Sequence, residues 1–226
     1  SGCGKSTLLR CFNRMNDLIP GAKVEGKVLL DGVDIRRIPL AELRRQIGLV
    51  PQDVFLFSGS VDENIRLGNR DISLEVMRQV ARALHVDEFV ERLPKGYSEE
   101  VRERGSRLSV GQRQLLAFAR ALAHNPRIVV LDEATSSVDS ETERTVQQAV
   151  EKLLAGRTAL IVAHRLSTIQ NADRILVVHK GQIRESGTHA ELLARRGIYY
   201  RLYQLQYASL REAVRTPAPA PPAKTS

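Results

Sequence analysis

The first residues of the sequence have the composition of a loop that binds phosphate. Glycine lets backbone N–H groups approach phosphate oxygens closely, lysine supplies a positive charge for the β- and γ-phosphates, and a serine hydroxyl can bind Mg²⁺. Apolar residues recur at helical spacing from Lys5 to Asn16, so the loop is predicted to lead into a helix N-terminus, which attracts anions. The residues predicted to bind the phosphates are Gly2, Cys3, Gly4, Lys5, Ser6 and Thr7.

An acidic pair follows an apolar run near the middle of the chain. Asp132 and Glu133 come directly after Ile128–Leu131, which is predicted to be a buried strand. Asp132 is predicted to hold Mg²⁺ and Glu133 to polarise the attacking water, so one carboxylate serves the metal and the other the proton. Together with the loop, this pair predicts that the chain binds a nucleoside triphosphate and hydrolyses it.

Two further polar residues follow other predicted strands. Gln52 can bring its amide oxygen to Mg²⁺ or to the attacking water, and His164 can hydrogen-bond the γ-phosphate. The other four histidines have no such context and are expected to be ordinary surface residues. The predicted catalytic residues are therefore Glu133, His164 and Gln52, and the predicted Mg²⁺ ligands are Ser6, Gln52 and Asp132.

A second phosphate-recognition element is predicted at the start of another helix, which spans Val110–His124. A single nucleotide site does not need two such elements, so we expect two chains to pair head to tail, each covering the nucleotide held by the other. A simpler role for Ser109, capping this helix, leaves its co-occurrence with Asp139 unexplained. The residues predicted to contact the nucleotide of the other chain are Ser109, Gly111, Gln112 and Asp139.

Composition restricts the kind of protein. The 226 residues, 42% of them hydrophobic, can bury one substantial core, and no apolar run is long enough to span a membrane. The formal net charge of +8 comes with arginines scattered through predicted helices, which favours a solvated or membrane-facing basic surface over a specific nucleic-acid partner. Cys3 and Cys11 are too few and too close for a disulfide framework or a zinc site.

Strands and helices alternate along most of the chain, which predicts an α/β fold with a doubly wound, mostly parallel sheet. A hairpin at Asp31 and Gly32, between Val24–Leu30 and Val33–Ile35, adds a small antiparallel piece, and residues from about 60 to about 125 are predicted to form a helical subdomain. The Pro- and Ala-rich residues 208–226 are expected to be a disordered tail. The predicted strands of the main sheet are Ile47–Val50, Arg127–Leu131, Thr158–Val162 and Arg174–Val178. The predicted helices after the first are Leu40–Gln46, Ser73–Leu84, Val86–Leu93, Val110–His124, Ser140–Leu154, Leu166–Ala172, Thr188–Arg195 and Gly197–Tyr207.

These motifs, in this order, resemble those of the ATP-binding cassette (ABC) ATPases over residues 1–207. The resemblance implies a P-loop NTPase fold, ATP hydrolysis with Mg²⁺, and pairing with a second cassette that is identical or different. It also implies named roles: Walker A loop for residues 2–7, Q-loop for Gln52, signature for Leu108–Gln112, Walker B end for Asp132 and Glu133, D-loop for Ser136–Asp139 and switch for His164.

The subfamily resemblance is mixed. Residues from about 36 onward resemble the cassettes of lipid, drug and peptide exporters, most clearly at Pro51–Val61, Glu103–Gly105 and Gly187–His189. Residues 1 to about 26 are similar instead to the phosphate-importer ATPase, most clearly at Cys11–Gly21. A natural recombinant, an engineered fusion and an assembly error would all produce such a hybrid. The exporter resemblance implies a transport ATPase on the cytoplasmic face of the membrane, with transmembrane domains fused upstream of Ser1. The alternatives are the ATPase subunit of a phosphate importer and a soluble cassette that acts on nucleic acid or ribosomes.

The start of the chain departs from the family pattern. The first Walker A glycine, the strand before it and an upstream aromatic residue that stacks on adenine are absent from the 226 residues. The chain is therefore expected to be an N-terminally truncated cassette that, in isolation, binds ATP weakly or folds poorly.

Overall fold

The computed structural model describes residues 4–101, 108–132, 140–162 and 166–205. The chain divides into two compact units, one of Ser6–Val162 and one of Ser1–Lys5 with Ala163–Ser226, and each is described by itself. Gly2, Cys3, Glu133, Asp139 and His164 lie outside the described residues, as does the tail 208–226.

Strands and helices alternate through the described residues. The strands are β1 (Leu29–Leu30), β2 (Val33–Asp34), β3 (Ile47–Val50), β4 (Gly59–Ser60), β5 (Glu100–Val101), β6 (Ile128–Asp132), β7 (Thr158–Val162), β8 (Ile175–His179) and β9 (Gln182–Gly187). The helices are α1 (Lys5–Phe12), α2 (Leu40–Gln46), α3 (Val61–Arg66), α4 (Leu74–Ala83), α5 (Asp87–Val90), α6 (Val110–Ala123), α7 (Ser140–Leu154), α8 (Leu166–Gln170) and α9 (His189–Arg195), and residues 198–205 are also helical. Short 3₁₀ helices span Met15–Leu18, Ile35–Arg37 and Gly96–Ser98.

A parallel sheet in the order β3-β6-β7 forms the centre of the unit Ser6–Val162. Successive residues of a strand point to opposite faces, and β6 follows this rule. Val129 and Leu131 belong to a cluster on one face with α6 and α7, while Val130 belongs to a cluster on the other face with Leu9 of α1 and Leu43 of α2. The sheet thus has helices on both faces, which confirms the predicted α/β class.

Helices α3 to α6 lie within the range predicted as a helical subdomain. They pack into the same cluster as the sheet residues Val129 and Leu131, with Val61 and Ile65 of α3 fully buried. Helix α6 lies close to β3, since a Cβ on Gly48 would be 3.7 Å from the Ala121 Cβ. The same Cβ would be 2.8 Å from the ring of Pro126, which follows the helix. The boundaries of the subdomain remain a prediction.

The unit that contains residues 166–205 is built on an antiparallel pair. Strands β8 and β9 pair along their length, and Val177, Leu192 and Tyr199 form its core. The strand predicted over residues 174–178 is present as β8, and within its unit it pairs antiparallel with β9, a strand that the sequence did not predict. The sequence did not predict β9 because the strand begins with three exposed residues and shows no regular alternation of apolar and polar residues.

Two predicted elements near the start of the chain are shorter in the structure. Helix α1 ends at Phe12 instead of Asn16, because Arg14 has a left-handed backbone with φ of 57° and a 3₁₀ turn follows. The strand predicted over Val24–Leu30 is reduced to Leu29–Leu30, paired with Val33–Asp34 across the predicted turn.

Candidate functional site

The carboxyl ends of three parallel strands meet at one edge of the sheet. Val50 is in register with Leu131, and Asp132 with Val162, so β3, β6 and β7 end side by side. Asp132 is the last residue of β6, and Gln52 comes two residues after the end of β3 and is exposed. Ligands of open α/β sheets bind outside this edge, so the structure brings two of the predicted site residues to the expected place.

Helix α1 begins at Lys5, and its first turn contains Ser6 and Thr7. Gly4, just before it, has φ of 74°, a backbone conformation that strains residues with a Cβ, although the space around it is open. Within the unit Ser6–Val162, Leu9 belongs to the cluster that also contains Val162, the last residue of β7. This packing holds the first part of α1 on the sheet face beside the strand ends.

Asn16 is a positioning residue that the sequence did not reveal. It is 3% exposed, and its Nδ2 donates to the Thr7 carbonyl oxygen at 2.9 Å and to the Cys11 Sγ at 3.1 Å. These contacts tie the turn after α1 back to its first turn. No short-range pattern in the sequence could have shown this, since the partner Thr7 is nine residues away.

Ser109 and Gln112 form a capping box at the start of α6. The Gln112 N–H donates to Ser109 Oγ at 3.1 Å, and the Ser109 N–H donates to Gln112 Oε1 at 2.9 Å. The capping role considered from the sequence is therefore present. It does not use the hydroxyl proton, which Ser109 can still donate to a phosphate oxygen. Gly111 is buried in the same first turn, and the Arg113 guanidinium donates to the Leu108 carbonyl at 2.7 Å.

The first turns of the helices differ in charge. Helices α2, α3, α4, α5 and α9 each have at least one acidic residue there, which offsets the positive end of the helix dipole. Helices α1 and α6 have none, and neither has the five-residue α8. The capping boxes of α3 and α9 use Glu63 and Glu191, whereas that of α6 uses the uncharged Gln112. The two helices predicted to face phosphate therefore keep an uncompensated positive end.

The predicted Mg²⁺ ligands supply the right kind of atoms. Ser6, Gln52 and Asp132 offer a hydroxyl, an amide and a carboxylate oxygen, and Mg²⁺ prefers oxygen ligands and keeps several waters or phosphate oxygens. Among the described residues no group of three or more His, Cys, Asp or Glu could hold a metal ion by itself. This donor set fits an ion that arrives with the phosphates of a nucleotide.

A cavity of about 290 Å³ lies at the opposite edge of the sheet. Its lining includes Ile47, Ile128 and Thr158, the first residues of β3, β6 and β7, and none of the predicted site residues. A ligand at this edge would be far from the carboxyl ends of the strands. We therefore do not assign the cavity to the site.

Comparison with known proteins identifies the class of the chain. A profile of the ABC transporter family matches residues 1–136, which is more than half of the chain. The chain belongs to the ABC transporter family. A solved structure, a bacterial Atm1-family ABC exporter with ATP bound, is similar with a TM-score of 0.81 and 39% identity, over 91% of this chain and 35% of its own.

Curated relatives give the type of cassette. The ATP-dependent lipid A-core flippase of Syntrophus aciditrophicus is 49% identical over 92% of this chain and 34% of its own length. The human ATP-binding cassette sub-family B member 5 is 47% identical over 91% of this chain and 16% of its own. The fatty acid ABC transporter ATP-binding/permease protein of Mycobacterium bovis is 47% identical over 89% of this chain and 31% of its own. The chain is thus an exporter-type ABC ATPase domain, an ATP hydrolase, and it spans about a third of the length of these bacterial relatives.

The comparisons and the structure leave the individual site roles as predictions. ATP use in this family generally requires Mg²⁺, which agrees with the oxygen donors described above. Within residues 4–101, 108–132, 140–162 and 166–205, no helix has the length and apolar character needed to cross a bilayer.

Proposed function

We propose that this chain powers transport by an exporter. Two cassettes close head to tail around ATP, and hydrolysis reopens them. This cycle makes the transmembrane domains open alternately to the two sides of the membrane. The same proposal includes fusion of those domains upstream of Ser1 and a location on the cytoplasmic face of the membrane. The relatives named above include lipid A-core flippases and a fatty acid transporter. Lipid is therefore the substrate class that we propose to test first.

One observation carries the proposal: two helices of one chain, α1 and α6, begin with no acidic residue and with the residue types that bind phosphate. A helix N-terminus with free N–H groups and an uncompensated dipole favours an anion. Two such ends on one chain are explained if each serves a different nucleotide in a symmetric pair. A head-to-tail pair uses both ends at each of two equivalent sites.

The proposed roles divide the chemistry among the site residues. Lys5 and the backbone of residues 2–7 bind the β- and γ-phosphates, while Ser6, Gln52 and Asp132 hold Mg²⁺, which neutralises phosphate charge when bound. Glu133 accepts a proton from the attacking water, and His164 donates a hydrogen bond to the γ-phosphate. Ser109, Gly111, Gln112 and Asp139 complete the site from the other chain.

The proposed contact between chains is tested with a pair of substitutions at Ser109. Asparagine and aspartate cap a helix about as well as serine, so Ser109→Asn and Ser109→Asp both preserve the start of α6. Only aspartate places a negative charge where the phosphate of the other chain should lie. In a Glu133→Gln background, which slows hydrolysis, ATP should produce dimers with the asparagine variant and monomers with the aspartate variant.

The measurement is molar mass by light scattering at saturating ATP, with ATP binding recorded in parallel. The aspartate variant should still bind ATP, because its own phosphate loop is intact, whereas Lys5→Ala should lose binding. If the aspartate variant dimerises as well as the asparagine variant, Ser109 does not face a phosphate. If the Glu133→Gln protein binds ATP and still stays monomeric, the head-to-tail mechanism is wrong.

A further inference from the structure

Arg120 lies three turns along α6 from Ser109 and is largely withdrawn from solvent. Its Nε donates to the Asn64 carbonyl at 2.9 Å, its Nη1 to the Phe55 carbonyl at 2.9 Å, and its Nη2 to Asn64 Oδ1 at 3.1 Å. Its Cζ is 5.4 Å from the centre of the Phe57 ring. Every one of these partners belongs to residues 55–64, so one guanidinium ties α6 to a single short segment.

The oxygens that accept these three hydrogen bonds are all uncharged. Burial lowers the pKa of Arg120, and its described hydrogen-bond acceptors carry no negative charge to offset this, yet an arginine stays protonated. Burying an arginine against neutral acceptors is costly, because its charge is not balanced by an opposite one. The planar guanidinium offers several donors in a fixed arrangement, which suits contact with several carbonyl oxygens at once.

The segment that Arg120 holds is itself closed by Asn64. The Phe57 N–H donates to Asn64 Oδ1 at 2.9 Å, and Asn64 Nδ2 donates to the carbonyls of Phe57 at 2.8 Å and Ser60 at 3.1 Å. Leu56 is fully buried, while the Phe55 and Phe57 rings stand half-exposed in an edge contact 5.0 Å apart. Residues 55–60 therefore have one defined conformation, and they begin three positions after Gln52.

We propose that Arg120 is a positioning residue that makes the start of α6 and the segment after Gln52 move together. When the nucleotide of the other chain engages Ser109, α6 shifts as a rigid helix and carries residues 55–64 with it. The inference rests on the proposed function, because it takes the engagement of Ser109 as the input. Arg120 touches neither nucleotide nor metal in this role.

The test compares three proteins by hydrogen–deuterium exchange: the natural protein that contains this chain, Arg120→Lys and Arg78→Lys. Lysine keeps the charge but cannot make the three hydrogen bonds together or stack on Phe57. Arg78 is a matched control, an exposed arginine whose Cζ lies 6.0 Å from the Tyr97 ring centre. The probe is the ATP analogue AMP-PNP with Mg²⁺, and the peptides compared cover residues 55–64 and 109–116.

In the natural protein and in Arg78→Lys, AMP-PNP should slow exchange in both peptides. In Arg120→Lys it should slow exchange in 109–116 only. If AMP-PNP slows exchange in both peptides of Arg120→Lys, the inference is wrong but the proposed function stands. The same holds if the peptide 55–64 of the natural protein does not respond. A natural protein in which 109–116 does not respond overturns the proposed function, and the inference with it.

Kinetics separate positioning from loss of folded protein. Arg120→Lys should lower kcat per bound nucleotide about tenfold and leave KM for ATP within about twofold, since the phosphate loop is untouched. A loss of folded protein would reduce the number of sites and leave kcat per site unchanged, which overturns the positioning role. Phe57→Leu, which removes the stacked ring only, should give a smaller loss of the 55–64 response. If Arg120→Lys does not fold, Phe57→Leu is the test. An unchanged 55–64 response in Phe57→Leu then contradicts the inference.

Discussion

Replacing Asn64 tests how strongly the segment between Gln52 and α3 is held. Asn64 is 2% exposed and its side chain takes part in four hydrogen bonds, three with backbone groups of Phe57 and Ser60 and one with the Arg120 guanidinium. In Asn64→Ala the Phe57 N–H and carbonyl lose their side-chain partners at a partly buried position. The cost is therefore set by unsatisfied polar groups more than by lost volume.

The expected loss of stability is about 4.5 kcal/mol, from three neutral hydrogen bonds at about 1 kcal/mol each and one to a charged donor at about 1.5 kcal/mol. This is a large part of the roughly 5–15 kcal/mol that stabilises a typical domain. Asn64→Asp keeps the acceptor oxygen for Phe57 and Arg120 but loses both donors, so it should cost about half as much. Asn69→Ala removes one bond, to the Asp71 N–H at 3.0 Å, and should cost less than about 1 kcal/mol.

The chain has no tryptophan, so pulse proteolysis in urea is a better assay than intrinsic fluorescence. With an m-value of about 2 kcal/mol/M, Asn64→Ala should lower the urea midpoint by about 2 M. A shift of less than about 0.5 M in Asn64→Ala would refute the reasoning, because the four contacts would then contribute almost nothing. An equal shift in Asn69→Ala would show that the assay does not distinguish buried from half-exposed contacts.

Three further predictions concern packing and charge in the unit Ser6–Val162. Gly48→Ala should lower the free energy of unfolding by about 1–3 kcal/mol in urea titrations, because the new Cβ would lie 2.8 Å from the rigid Pro126 ring. Hydrogen bonds from the Arg36 side chain and from its backbone N–H lower the pKa of Asp34 from 3.8 to about 2, so NMR titration of Arg36→Ala, which keeps only the backbone bond, should find the pKa raised part of the way towards its ordinary value. The stability from this pair is present above 3.8 and is lost as pH falls towards about 2. Burial lowers the pKa of His124 below 6.5, so the unfolded chain takes up protons first and stability falls as pH drops below 6.5. His124→Gln should flatten that part of the curve of urea midpoint against pH.

Local patterns in the sequence predicted several elements to the residue. The helix at Leu40–Gln46 and the strands at Ile47–Val50 and Thr158–Val162 have the predicted bounds. Each depends on apolar spacing within a few residues, which the sequence displays directly. The parallel sheet also followed from βαβ alternation, and because Gln52 and Asp132 come at the ends of predicted strands, their place at its carboxyl edge was predictable.

Contacts between distant residues were not predictable. Arg120 looked like one of many scattered arginines, yet its partners Phe55 and Asn64 are 65 and 56 residues away. Strand β9 was missed for a related reason. Its Glu185 interrupts the pattern of a strand, and the partners of this carboxylate lie more than ten residues further along the chain. Its carboxylate accepts the N–H groups of Ile198 at 2.6 Å and Tyr199 at 2.9 Å and so caps the helix at 198–205.

The described site residues differ in how firmly the fold supports them. Lys5 begins a helix, Asp132 ends a central strand and Ser109 caps a helix, so packing of whole elements fixes their backbones. Gln52 is exposed and lies in a bend outside any helix or strand. Its segment meets the core at Val54, and the hydrogen bond from Arg120 holds the backbone at Phe55. Of these four residues, Gln52 therefore has the greatest freedom to move, and the anchor that limits this freedom belongs to the helix that Ser109 begins. If Gln52 has the proposed role of Mg²⁺ ligand, the proposed movement of α6 would shift Gln52 more than Lys5 or Asp132.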